Sequence, residues 1–215
     1  MRFINLHTHS DSNDDLVLEV VNQYPWEFDD EIAKYSIGVH PWYIDEDRLI
    51  SDLKCIEVKL NLTECLALGE CGLDKRIEIP LDKQVQVFKS QIELVKKTSK
   101  PVIIHCVSAF QEMIAIKKEM QIKNPMIIHG FSKNSQVAKS LLDNGFYLSF
   151  GKYLLRNPEL ALVFKNIPND RFFLETDTIE EGIIEVYERA SIIKNIHIEE
   201  LKKNVANNFS SVFKQ

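Results

Sequence analysis

Five of the six histidines in this chain stand at the carboxyl ends of short apolar runs. His7 and His9 close Phe3-Ile4-Asn5-Leu6, His40 follows Tyr35–Val39, His105 follows Val102-Ile103-Ile104, and His129 follows Met126-Ile127-Ile128. Acids occupy equivalent places: Glu70 ends Leu66-Ala67-Leu68-Gly69, and Glu175 and Asp177 end Phe172-Phe173-Leu174. Imidazole and carboxylate together suit divalent Zn, Mn, Fe or Ni, and Mg at an oxygen-rich position. A single histidine after a strand is ordinarily structural, and a His-x-His pair alone decides little. Here the two-residue period of a strand sends the His7 and His9 rings to one side, and Pro101–His105 and Pro125–His129 repeat one pattern of proline, three apolar residues and histidine. Grouping Glu70 with Asp177 without a cation costs several kcal/mol in desolvation and repulsion. His7, His9, Glu70, His105, His129 and Asp177 suffice for two divalent ions roughly 3.5–4 Å apart, with Glu70 bridging and a shared water activated for attack. Asp177 can also accept the proton of that water, so Glu70 and Asp177 are the expected catalytic carboxylates.

Such a set requires strands that deliver their ends to one rim. Eight short runs are expected as strands: Phe3–Leu6, Leu16–Val21, Tyr35–Val39, Ala67–Leu68, Val102–Ile104, Met126–Ile128, Phe146–Phe150 and Phe172–Leu174. Helical periodicity lies between them, clearest over 82–99, where Val85, Phe88, Ile92 and Val95 share a face and Lys, Gln and Glu lie elsewhere. Further helices are expected near 27–34, 45–60, 108–121, 134–144, 158–166 and 181–195, with short ones near 198–213. Alternation of this kind predicts an α/β fold, a (β/α)8 TIM-like barrel. The passage from His9 through Ser10-Asp11-Ser12-Asn13-Asp14-Asp15 to Leu16 is too short for a helix, so the first crossover helix should be missing. The 215 residues read as one domain over 1–215, at about 27 residues per strand–helix unit, near the lower end for this fold.

Composition narrows the function. Apolar residues make up 45% and charged residues 27%, as in ordinary globular chains, and the net charge of −6 argues against a large nucleic-acid-coating surface. With no membrane-length apolar run and no signal peptide at the start, the expected location is the cytoplasm. Cys55, Cys65, Cys71 and Cys106 show no Cys-x-x-Cys spacing and read as reduced, partly buried thiols. Cys71 and Cys106 each follow a ligand by one residue and should point away from it. His40 is expected to contact substrate or support the ligands; Lys75, Lys133, Lys152 and Arg156 are candidates for a substrate phosphate. His197 and the Asp11, Asp14, Asp15 run read as solvated. Oligomeric state stays open, with a monomer compatible.

These words resemble the TatD family of metal-dependent hydrolases, within the amidohydrolase-like barrels, over nearly the whole chain. The matching stretches are His7-Thr8-His9, Gly38-Val39-His40-Pro41, Gly69-Glu70-Cys71-Gly72-Leu73-Asp74, Pro101–His105, His129-Gly130-Phe131, Gly145–Gly151 and Glu175-Thr176-Asp177, with Asn207-Asn208-Phe209 and Phe213 resembling the closing helix. The resemblance implies that His7 and His9 bind a first metal, Glu70 bridges or binds it, His105 and His129 bind the second, and Asp177 serves the first metal and the water. It also implies metal-dependent hydrolysis, several members being deoxyribonucleases, with DNA or a small phosphoester as substrate. The loops after Asp74, His105 and Asp177 depart from the family pattern. Two other readings remain at this point: a phosphoesterase of the polymerase and histidinol phosphatase type or a C–N or lactone hydrolase, and a non-catalytic metal- or nucleic-acid-binding relative.

Overall fold

The computed structural model describes residues 1–213. Its strands are β1 (Phe3–Thr8), β2 (Val17–Gln23), β3 (Tyr35–Ile37), β4 (Cys65–Asp74), β5 (Val102–Val107), β6 (Met126–Ile128), β7 (Phe146–Phe150) and β8 (Phe172–Leu174), joined in sequence order in one eight-stranded sheet. The β1/β2, β3/β4, β4/β5 and β7/β8 ladders are parallel. The helices are α1 (Leu49–Lys59), α2 (Leu81–Val95), α3 (Phe110–Glu119), α4 (Ser135–Asp143), α5 (Lys152–Arg156), α6 (Pro158–Lys165), α7 (Ile183–Lys194) and α8 (Ile198–Val212). This is the order of a (β/α)8 barrel. As expected, residues 9–16, all described, pass from β1 to β2 without a helix.

Four expectations need correction. Residues 27–34 form no helix; only a 3-10 turn at Pro25–Glu27 lies between β2 and β3. Local polar bonds win there: Asp29 Oδ1 accepts the Glu31 N–H at 2.9 Å, and Gln23 Oε1 accepts the Asp29 N–H at 3.2 Å. The fourth strand is far longer than Ala67–Leu68, because Gly69, Glu70, Gly72 and Asp74 continue it with every residue buried. Helix α5 was not anticipated, and 198–212 is one helix rather than several.

The chain forms two compact units, residues 1–21 with 128–212, and residues 22–127 with Phe213. In the first, β1 lies beside β8 through a parallel bridge between Thr8 and Asp177. Phe131, Phe150, Phe164 and Phe172 meet in succession at 5.5, 4.9 and 4.9 Å between ring centroids. Helix α7 is pinned to β1 by buried Tyr187, whose hydroxyl donates to the Ile4 carbonyl at 3.1 Å and accepts the Ile4 N–H at 3.2 Å. Burial pushes that hydroxyl well above the usual tyrosine range, against the opposing bond to Ile4.

In the second unit, α2 does more than cover the sheet. Phe88, Ile92 and Val95 are buried as expected, but so are Gln84 and Gln91. Gln91 Oε1 accepts the Val39 N–H at 2.7 Å and its Nε2 donates to the Val39 carbonyl at 3.1 Å. Gln84 treats Asp74 in the same way, at 2.8 and 2.9 Å. An amide carries both donor and acceptor, so each satisfies the N–H and the carbonyl of one residue, groups that an apolar side chain would leave bare.

Two stability predictions follow from these contacts. Tyr187→Phe leaves both Ile4 backbone groups without the hydroxyl and should cost about 1–3 kcal/mol in denaturant unfolding. Gln91→Leu should cost a similar amount, roughly 1–3 kcal/mol, and should shift the amide NMR resonances of Val39 and His40. An unchanged midpoint in either variant would contradict the assigned bonds.

Candidate metal centre

In the second unit, three consecutive strands carry the chemistry. Glu70 sits within β4 with its side chain 4% exposed, and its backbone N–H donates to Asn22 Oδ1 at 2.7 Å. Glu70 Oε1 lies 3.0 Å from His105 Nδ1 on β5 and 3.2 Å from His40 Nε2, just past β3. The ligating atoms of His40, Glu70 and His105 fall within 4.8 Å of one another. His40 Nδ1 accepts the Trp42 backbone N–H at 3.1 Å, so a neutral His40 carries its proton on Nε2 and offers it to Glu70. His105 has a carboxylate at each nitrogen, with Asp74 Oδ2 3.2 Å from Nε2. One nitrogen can therefore hold an ion while the other keeps a proton for a carboxylate, the usual support of a metal-bound histidine.

Asp74 was present in the sequence pattern but was given no role there. It is i+4 from Glu70 on one strand, hence on the same face. Burial pushes its carboxyl up, yet the bonds from Trp42, the Arg76 N–H and His105 together outweigh this and hold it below the usual carboxylate range.

In the first unit, His7 is fully buried at the end of β1, and His129 follows β6. Their rings meet at 4.5 Å between centroids, and the His9 ring lies edge-on to His7 at 5.2 Å. Asp177 Oδ1 stands 3.7 Å from His7 Nε2 and 3.5 Å from His9 Nε2. The ligating atoms of His7, His129 and Asp177 fall within 4.8 Å of one another. Asp177 reaches this place with φ at 58°, its N–H donating to the His7 carbonyl at 2.9 Å. Asp tolerates that left-handed conformation better than most residues. Glu175, which sequence reasoning named without a task, is 1% exposed, accepts the Gly130 N–H at 2.6 Å and lies 3.6 Å from His129 Nδ1. Its second oxygen, Oε2, is buried with no hydrogen-bond partner.

Both groups fit a divalent ion, because their donors are imidazole and carboxylate and they converge; beside the group of the first unit, Glu175 Oε2 is buried without a hydrogen-bond partner. Among the basic candidates, Lys75 Nζ donates to Glu112 at 2.5 Å and Arg156 Nη2 to both oxygens of Glu181 at 2.9 Å. Lys152 Nζ lies 6.0 Å from the Tyr153 ring centroid, and Lys133 is half-buried before α4. The four cysteines form no disulfide. Burial pushes the Cys65 thiol up to about 11 and the Cys71 thiol higher still, with Glu70 adding to the latter. Neither is a thiolate near neutrality.

The family model described as TatD related DNase matches residues 2–214. The metal-dependent hydrolase YabD of Bacillus subtilis is 34% identical over 165 residues, which cover 74% of this chain and 62% of that protein. The metal-dependent hydrolase YcfH of Escherichia coli K12 is 29% identical over 83% of this chain and 73% of its own length. The chain thus spans less than two thirds of the Bacillus protein. Among solved structures, the TatD homologue YjjV of E. coli K12 superposes with a TM-score of 0.85 at 20% identity, covering 100% of this chain and 98% of the other. A TatD family hydrolase of Entamoeba histolytica gives 0.82 at 18% identity, covering 99% and 98%. The fold is shared with these structures, and the chain belongs to the TatD-related DNase family of metal-dependent hydrolases.

Proposed function

We propose that this chain hydrolyses phosphodiester bonds of DNA with two divalent cations, drawn from Zn, Mn, Mg, Fe and Ni. The family resemblance pairs His129 with His105 and has Glu70 bridge or bind the first metal; the convergence of His129 with His7 and Asp177 favours instead His7, His9, His129 and Asp177 for one ion, with Glu70 and His105 for the other. The reading is carried by the convergence of imidazoles and carboxylates within 4.8 Å, once in each unit, on or just past the strands. Family membership favours phosphodiesters. Bound cations supply charge neutralisation at phosphate oxygens and a lowered pKa for water.

The side chains have separable tasks. Asp177, 29% exposed, is the carboxylate with access to solvent and accepts the proton of the attacking water. Glu175 orients His129, and Asp74 orients His105. His40 Nε2 stands 3.2 Å from Glu70 Oε1 and orients that carboxylate. Lys133 and Lys152 are the candidates for a substrate phosphate, because Lys75 and Arg156 already face carboxylates. No helix among the described residues is long and apolar enough to cross a membrane. Cysteines that form no disulfide fit a reducing compartment such as the cytoplasm.

Elemental analysis and oligonucleotide hydrolysis test the assignment together. Chelation should abolish turnover, and added Mn or Zn should restore it. Asp177→Asn should lower kcat by about 10²- to 10⁴-fold without loss of the folded circular dichroism spectrum. His7→Ala and His105→Ala should each lower metal stoichiometry. Full metal-dependent turnover in Asp177→Asn and Glu70→Ala would refute the catalytic roles.

A further inference from the structure

Two loops of the second unit carry an aromatic group that the ligand chemistry leaves unused. Tyr24 and Trp26 follow β2; Trp42 and Tyr43 lie in the 3-10 turn Pro41–Tyr43 after β3. Tyr24 stacks on Trp26 at 4.9 Å and 17°, and Tyr43 stands edge-on to both at 5.4 and 5.9 Å. The group runs into the metal-ligand candidates: Trp42 is 5.2 Å from the His40 ring and 5.9 Å from His105, and Tyr43 is 5.6 Å from His40.

Trp42 is 53% exposed and Tyr43 43%, although both are side chains that a fold ordinarily turns inward when nothing else uses them. They are nevertheless held in place. The indole Nε1 of Trp42 donates to Asp74 Oδ2 at 2.8 Å, and the Tyr43 carbonyl accepts from Arg48 Nη2 at 2.6 Å. Arg48 in turn covers the Trp26 ring at 3.7 Å. A fixed, open aromatic face beside a phosphodiester-cleaving centre matches the flat face of an unpaired base, and such stacking is worth about 1–3 kcal/mol per base.

The surrounding charge limits what else can bind. Residues 24–31 and 42–48 contain Glu27, Asp29, Asp30, Glu31, Asp45, Glu46 and Asp47, against Arg48 alone. Lys59 and Lys83 reach in only to pair with Asp30 and Glu46, at 2.5 and 2.7 Å. A long polyanion gains affinity from a run of lysines and arginines that neutralise successive phosphates. These loops present the opposite sign.

Resting on the phosphodiesterase reading, we propose that Trp42 and Tyr43 form a stacking platform for one unpaired base beside the scissile phosphate, and that the acidic rim restricts productive binding to short chains. The preferred substrate is then a dinucleotide or a terminal nucleotide unit, selected by its base and not by its backbone.

The test compares three diesters with the metal-loaded protein: thymidylyl-thymidine, its abasic analogue with the same phosphodiester, and a thymidine dodecamer. The base-bearing dinucleotide should exceed the abasic one in kcat/KM by about 5- to 150-fold, mainly through KM. That ratio should fall towards one in Trp42→Ala and in Tyr43→Ala, and should largely return in Trp42→Phe. Because it is taken within each variant, a partial loss of folded protein cancels. The dodecamer should exceed the dinucleotide by no more than about threefold, with a shallow dependence on salt. Equal rates for base and abasic diesters in the unaltered protein, or an unchanged ratio in Trp42→Ala, would overturn the platform while chelator-sensitive hydrolysis of the abasic diester left the phosphodiesterase reading intact. A dodecamer preference of thirtyfold or more, falling steeply with salt, would overturn the rim. If no diester turned over, the phosphodiesterase reading would fail. The platform would then stand or fall on quenching of Trp42 fluorescence by thymidine monophosphate in a Trp26→Phe protein, a quench that must vanish in Trp42→Ala.

Discussion

An ionised carboxylate inside a protein is tolerated only where protons or cations face its oxygens. Glu70 lives under that constraint, and much of the second unit is arranged around it. Its Oε1 is met by His40 and His105, and those imidazoles are themselves anchored, one by the Trp42 N–H and the other by Asp74. The spacing of β4 and β5 that brings His105 to Glu70 is extremely tight. Gly72 has φ at +149°, and a Cβ there would stand 1.9 Å from the His105 carbonyl oxygen. Only glycine lets the two backbones approach so closely. The first unit meets a related demand through Asp177, whose left-handed backbone lets a residue just past β8 bond to the end of β1.

The strands that hold histidines were legible in the sequence for a physical reason. Parallel strands buried on both faces read as unbroken apolar runs, and the ligand comes where the run stops, as in Val102-Ile103-Ile104-His105 and Met126-Ile127-Ile128-His129. The fourth strand was mostly hidden, since its glycines and acids are the residues that normally interrupt a strand. They are kept because the site needs them. Residues 27–34 form no helix because Asp29 and Gln23 capture the backbone first. Asp74 and Glu175 were visible as acids, but their partners belong to neighbouring strands and loops, which one-dimensional spacing does not reveal. The unit boundaries within β2 and β6 also left no mark in composition.

The aromatic group shows a different limit of reading by residue type. Tyr24, Trp26, Trp42 and Tyr43 come from two loops separated by β3, and nothing in their sequence spacing groups them. What sets Trp42 and Tyr43 apart is exposure combined with fixed orientation, a property that only the fold confers. The lysines illustrate the converse: Lys75 seemed suited to a phosphate, yet its ammonium faces Glu112.

The pair of glutamines on α2 has a consequence for how such a chain can change over time. Gln84 and Gln91 each close off the backbone N–H and carbonyl of Asp74 or Val39, so these positions do not depend on the connecting segments above them for those hydrogen bonds. Evolution can lengthen, trim or recolour those segments while the backbone beneath His40 and Asp74 stays put. A scaffold tied from behind in this way keeps its reactive groups in register and leaves its entrance free to acquire new tastes.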